Sequence, residues 1–218
     1  MIPGAAEMII ANRGPIEPLQ GFEAVGRAVR LVLAGGLNDE IDRQQQRWLQ
    51  ADELFETAGF DAGLRAAGID HVATDNIFGG PHKSLVASPL GRFPNVSVTA
   101  YAARAAPSNS LNDRMKAIEV TMLVETMVYA GPRTDDNALF VESLVHRRIE
   151  RTSEAVIACI ERSRTLLGTV DHVPQPSGGL VNASWTRTED TEGASGAIYV
   201  LHGSRFQYAL TRRVAIDY

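Results

Sequence analysis

The sequence predicts an α+β domain: a mainly antiparallel sheet with helices packed on one face, an N-terminal helical region and a Gly/Pro-rich arm. Three observations carry this prediction. Two neighbouring stretches alternate apolar and polar residues with the period of a strand, Val96 to Tyr101 and Ile118 to Met127. The segment after them, Asp135 to Leu167, switches to helical spacing. The final quarter then returns to strand character, and the order β-β-α-β-β places helices on one side of a sheet. At 218 residues the chain is read as a single domain, 1–218, with one sizeable core.

Taken in order, the opening "MIPGAAEMIIANRGP" has one short apolar run, Met8 to Ala11, with no basic region ahead of it, so it does not read as a signal peptide. From Leu19 to Trp48 the residues Phe22, Val25, Val29, Val32, Leu33, Leu37 and Ile41 recur at helical spacing, with Gly35-Gly36 as a break or bend. The tail "NDEIDRQQQRWLQ" is polar with isolated Ile41, Trp48 and Leu49, which fits a solvated helix face or one covered by another chain. Asp52 and Asp61 stand as N-caps of two short helices, Asp52 to Ala58 and Asp61 to Ala67. Gly79-Gly80-Pro81, Pro89 and Gly91 punctuate Ile69 to Arg92, and the stretch 38–92 as a whole is expected to be an insertion or interaction arm outside the core.

Phe93-Pro94 suits a strand start or an edge, because Pro94 has no N–H for a ladder. The two alternating stretches, joined by "ARAAPSNSLNDR", form a hairpin. Ile118, Val120, Met122, Val124 and Thr126 lie on one face of its second strand, and Glu119, Thr121, Leu123, Glu125 and Met127 on the other. The helix that follows carries an apolar stripe of Leu139, Val141, Leu144, Val145, Ile149, Thr152, Val156, Ile157 and Ile160, has Asp135-Asp136 at its positive end, and stops at Gly168. Beyond Pro174 two to four further strands are expected, broken near Glu189 to Gly196 and at Gly203.

Composition bounds the function. A net charge of −5 argues against a protein built to grip phosphate backbones. A single cysteine, Cys159, excludes an intramolecular disulfide and a multi-cysteine zinc site, and its place on the apolar side of the long helix reads as a small buried hydrophobe. "GGPHKS", Gly79 to Ser84, superficially resembles a phosphate loop, but His82 precedes Lys83 and Pro81 removes a donor. His71, His82, His146, His172 and His202 show no metal-ligand spacing. Ser195 and Ser177 lack the glycine pattern of a nucleophile elbow. Glu189, Asp190 and Glu192 read as a solvated acidic turn. Asn95-Val96-Ser97 and Asn182-Ala183-Ser184 match the glycosylation tripeptide by coincidence. No catalytic, cofactor-binding or metal-binding residue is therefore assigned.

The order of features resembles the tail-terminator and tail-completion proteins of long-tailed bacteriophages over Phe22 to Ala34 and Phe93 to Ile216. The matching features are an N-terminal helix, "FPNVSV", "IEVTMLVET", the helix "DDNALFVESLVHRRIERTSEAVIACI", and the strands in "GAIYVLHGSRFQYALTRRVAI". The stretch 38–92 and the chain length depart from a minimal member. The resemblance implies a virion structural protein, assembled in the host cytoplasm and located at the tail-neck junction, that performs no chemistry and needs no cofactor. It implies a homo-oligomeric ring, hexameric in the family's manner, that caps the tail tube protein and meets the head-neck connector protein. DNA passes through the lumen without specific binding, and no membrane is involved. Another neck or connector component, or a small α+β enzyme with dispersed catalytic residues, is the alternative. Candidate inter-subunit contacts are Arg104, Arg114 and Lys116 around the hairpin tip and Glu189, Asp190 and Glu192 in the acidic turn.

Overall fold

The computed structural model describes residues 22–57, 69–80, 92–105, 115–176, 183–191 and 194–215. Within them the chain is α+β. Helix α1 (Phe22–Thr57) is followed by the two-residue strand β1 (Ile77–Phe78), then β2 (Asn95–Ala105), β3 (Met115–Arg133), helix α2 (Ala138–Arg162), β4 (Ala183–Thr191) and β5 (Ala194–Ala215). The sheet order is β1-β2-β3-β5-β4, antiparallel throughout except for the short parallel β1–β2 pair.

Helix α1 buries Val25, Val29, Leu33, Leu37 and Ile41, one residue per turn at a strict four-residue step. A fully buried side chain of this size contributes about 1.5–3 kcal/mol, so this row anchors the helix. Of the break or bend expected at Gly35-Gly36, the break is absent: α1 runs through both glycines, although each costs about 1 kcal/mol relative to alanine in a helix. Gly36 has a packing reason to be there. A Cβ at this position would lie 3.4 Å from Cys159 Sγ, so the glycine brings α1 close to α2. The separate helix expected from Asp52 is likewise corrected, because Asp52 lies inside α1 rather than at a start.

The arm reading of 38–92 does not hold for its described part. Ile41 and Val72 belong to the main core, Asn38 exchanges two hydrogen bonds with the Val72 backbone at 2.9 and 3.1 Å, and β1 extends the sheet. The helix expected over Asp61 to Ala67 and most of the "GGPHKS" stretch fall outside the described residues.

The β2–β3 hairpin forms as its alternation predicts. Val96, Val98, Val120, Met122 and Val124 meet Phe206, Tyr208 and Leu210 of β5 on the face covered by both helices. A second cluster, Val128, Ala130 and Val200 with Val141, Val145 and Ile149, continues this core under the first half of α2. The helices run antiparallel, Cys159 facing Val32 and Trp48 contacting Arg151 and Glu154. Strand β5 is continuous through Gly203, so the C-terminal quarter has two strands among the described residues.

The long helix is shorter than expected and its stripe narrower. A 3-10 turn, Asp135–Asn137, precedes α2, with Asn137 Oδ1 accepting from the Thr134 N–H at 2.6 Å, and α2 ends at Arg162. The chain then turns through Leu166 (φ 45°) and Leu167 (φ 60°) before Gly168 (φ 80°). The left-handed conformation costs a bulky residue roughly 1–2 kcal/mol, and full burial of Leu166 offsets that cost. Leu139, assigned to the buried stripe by its apolar character, is instead 82% exposed.

Candidate functional site

The strand registers fix where the candidate contacts lie. Arg104 is level with Glu119, and Lys116 with Val214, at the end where β2 and β3 join. Glu189 is level with Ala197, and Asp190 follows it towards the β4–β5 junction at the other end. Arg114 and Glu192 fall outside the described residues. Ala197 and Val214 stand seventeen residues apart on the one strand β5. At about 3.3 Å per residue the two ends are separated by roughly 55 Å. The two groups are therefore not brought together within one copy.

Other charged residues sort towards these ends. Asp135 and Asp136 are exposed just beyond Arg133, which is the last residue of β3 and pairs with Ile198. Arg133 itself is drawn to Glu142 of α2 at 3.1 Å. At the opposite end Arg212 and Arg213 of β5 sit level with Ile118 and Ala117; Arg212 is buried, and Glu119 and Asp171, whose backbone N–H donates to the Thr211 carbonyl, are the acids there. By residue type and backbone position, acids outnumber bases at one end of the sheet and bases outnumber acids at the other.

Inside the molecule, four polar arrangements were not predicted from the sequence. Glu40, only 2% exposed, accepts from Arg43 at 2.5 Å, Gln44 at 2.6 Å, and Arg162 Nε at 2.7 Å. Glu40, Arg43 and Arg162 border a groove of about 350 Å³ between α1 and α2, with Val32, Gly36 and Cys159 on its wall. The Cys159 thiol points at the Val32 carbonyl at 3.6 Å, and burial, with Glu40 adding to it, pushes its pKa up to about 12. It behaves as the packed hydrophobe that its position in the stripe suggested, because the thiolate is the reactive form.

On the sheet face away from the helices, Glu125 is buried opposite Ser97 and Arg205, and its Oε1 accepts from Arg205 at 2.6 and 2.8 Å. Its second oxygen and both polar side-chain atoms of Asn95 have no hydrogen-bond partner among the described residues. Such groups cost about 1–3 kcal/mol each when dry.

The third arrangement is a closed hydroxyl cluster. Thr126 Oγ1 lies 2.6 Å from Ser204 Oγ and 3.2 Å from Ser153 Oγ, the two serines also meet each other, and Ser153 donates to the Ile149 carbonyl at 2.6 Å. It joins β3, β5 and α2 between the two apolar clusters. The fourth is a histidine pair: the rings of His146 and His202 meet edge to face at 5.9 Å, with Glu150 Oε1 at 3.1 Å from His146 Nε2. Burial first, and His146 second, hold the His202 pKa below its usual value.

Two of these arrangements had a local signal: His146 and Glu150 stand four residues apart on α2. Arg43 and Gln44 follow Glu40 at the three- and four-residue spacings of helix neighbours. The partners Arg162, Arg205, Ser204 and His202 are brought in by the fold from far along the chain. No group of three or more His, Cys, Asp or Glu residues suited to a metal occurs among the described residues, and none of the described helices is long and apolar enough to cross a membrane. Comparison with protein-family models and with curated proteins finds no match to this chain.

Proposed function

We propose that this chain is a virion assembly protein of a long-tailed bacteriophage, a ring protomer that caps the tail tube and presents a docking face to the head-neck connector. The resemblance in element order motivates the reading. The observation that supports it is the placement of residues of opposite charge at the two ends of the sheet, Arg104 and Lys116 on β2 and β3 and Glu189 and Asp190 on β4. Charges that lie roughly 55 Å apart in one copy can pair only between copies. Because the two ends are different surfaces, the contact is heterologous and closes into a ring when the rotation per copy allows.

The ion pairs set register and orientation in this account. An exposed pair contributes under about 1 kcal/mol, so affinity comes from apolar contacts beside it. Six copies joined end to end, the number being the family's, give a ring about 100 Å across if the strand axis follows the circumference.

Light scattering on the purified protein tests the reading. The expected mass is a fixed multiple of the 23.6 kDa chain, with tail tubes taking up the multimer at one end. Reversing Glu189, Asp190 and Glu192 to lysine weakens assembly, and adding Arg104, Arg114 and Lys116 to glutamate partly restores it. A monomer at every concentration, with no uptake on tubes, refutes the reading.

A further inference from the structure

We infer that the acidic end of the fold is a docking knob for a second copy of this chain, seated on the neighbour's basic end through Leu139, Phe140 and Ile198. Six large apolar residues are exposed among the described residues, and three of them gather at this end. Leu139 is 82% exposed and Phe140 45%, on the first turn of α2, whose inward positions are taken by Val141, Val145 and Ile149. Ile198 is 39% exposed and lies opposite Arg133 in the β3–β5 ladder. Arg133 ties that point of the sheet to Glu142, one turn beyond Leu139. The three apolar side chains thus belong to one corner of the molecule.

More acids than bases lie at this corner. Asp135 and Asp136 are exposed just before α2, and the backbone of Glu189 and Asp190 approaches the β4–β5 junction, against Arg133 level with Ile198 and Arg187 level with Tyr199. Apolar residues inside a charged rim are the arrangement of a protein interface, where the centre supplies affinity and the rim supplies orientation. The complementary charge is present on the same chain. Arg104, Lys116 and Arg213 lie at the far end of the same strands, and the separation prevents an intramolecular meeting. A second copy is therefore the occupant that the charge pattern selects.

This contact would exist in any head-to-tail assembly; its closure into a ring rests on the reading proposed above. Salt separates its two components. Raising ionic strength slows association by screening the rim, whereas the apolar centre keeps the complex together once formed.

The test uses the full chain with Leu139→Glu, Phe140→Glu, and a double variant Arg104→Glu/Lys116→Glu that disables the basic end. Leu54→Glu, at a 73% exposed position on α1, is the control for adding a carboxylate to an exposed apolar site. Sedimentation velocity gives the mass, and a thermal melt confirms that each variant is folded, as expected for the exposed Leu139, Phe140 and Leu54. The knob variants and the basic-end variant should each weaken self-association by roughly tenfold or more, with Leu54→Glu unchanged. Mixing Leu139→Glu with Arg104→Glu/Lys116→Glu should give one-to-one dimers, since one intact knob and one intact basic end remain. Wild-type association in both knob variants, or a mixture that stays monomeric, overturns the knob and leaves the ring reading standing on another surface. A wild type that is monomeric and never joins tail tubes overturns both.

Discussion

The hydroxyl cluster allows a stability prediction whose size follows from counting donors. Thr126, Ser153 and Ser204 are fully buried or nearly so, and each has one O–H to place. Ser153 places its own on the Ile149 carbonyl at 2.6 Å, while Thr126 and Ser204 share the remaining contacts. Thr126→Val keeps the side-chain shape and removes one hydroxyl. Ser204 then still has Ser153 Oγ as acceptor, and Ser153 still has Ile149, so no donor is orphaned. The loss is one or two ordinary hydrogen bonds at about 0.5–1.5 kcal/mol each, partly offset by the added apolar surface, for a net cost of about 1 kcal/mol. Ser204→Ala costs about the same on the same count, plus a small cavity term, whereas Ser153→Ala leaves Thr126 and Ser204 with only each other, so one O–H is orphaned and the cost rises to about 1–3 kcal/mol. The triple variant Thr126→Val/Ser153→Ala/Ser204→Ala should cost less than the sum of the three, because no polar group is left behind unpaired. Urea unfolding with a common m-value measures all four. A Thr126→Val cost above about 3 kcal/mol, or a triple variant equal to the sum, refutes the donor accounting.

Four further outcomes are expected. Val156→Asp places a carboxylate at a position of zero exposure among Val120, Met122 and Phe206; a penalty of several kcal/mol against a total stability of about 5–15 should leave the domain unfolded by circular dichroism, and an unchanged melting temperature contradicts this packing. Gly26→Ala, where a Cβ meets nothing within 4 Å among the described residues, should raise stability by about 0.5–1 kcal/mol through helix propensity, and a measured loss would place a further constraint there. His202 stays neutral in the fold where the unfolded chain takes up a proton, so the stability it contributes is complete above the usual histidine pKa and is lost as pH falls through its lowered folded value; His202→Gln should flatten this part of the pH profile, and an unaltered slope assigns it to other groups. Cys159 should resist thiol reagents in the native protein and react on unfolding, with rapid native labelling contradicting its burial.

Much of the architecture was legible because period alone determines it. The alternation in Val96 to Tyr101 and Ile118 to Met127 assigns a strand pair and even its inward face, and the Val145–Ile149–Val156–Ile160 spacing assigns α2. Leu139 groups with this stripe by its apolar character, but it stands two residues before Val141, about 200° round the helix from the buried face, so it faces solvent. The same rule failed where packing overrides it. Gly35-Gly36 has the composition of a break, yet tight approach of α2 retains the helix. The tail of α1 looked too polar to belong to a core. Ile41, Glu40 and Trp48 nevertheless find partners on α2 and in the main cluster, and those partners come from more than 100 residues away.

The candidate contacts were legible as charge but not as position. Sequence neighbours show that Arg104, Arg114 and Lys116 are basic and that Glu189, Asp190 and Glu192 are acidic. Only the β3–β5 register shows Arg104, Lys116, Glu189 and Asp190 divided between opposite ends of the sheet. The exposed Leu139, Phe140 and Ile198 could not be gathered from sequence at all, since Ile198 reaches that corner through a strand that pairs with β3 from the far end of the chain.

Electron microscopy of the purified protein, alone and mixed with tail tubes, tests the central proposal most directly. The account predicts closed toroids about 100 Å across that cap one end of each tube, built from copies in head-to-tail contact. Featureless monomers that leave tube ends bare would contradict it.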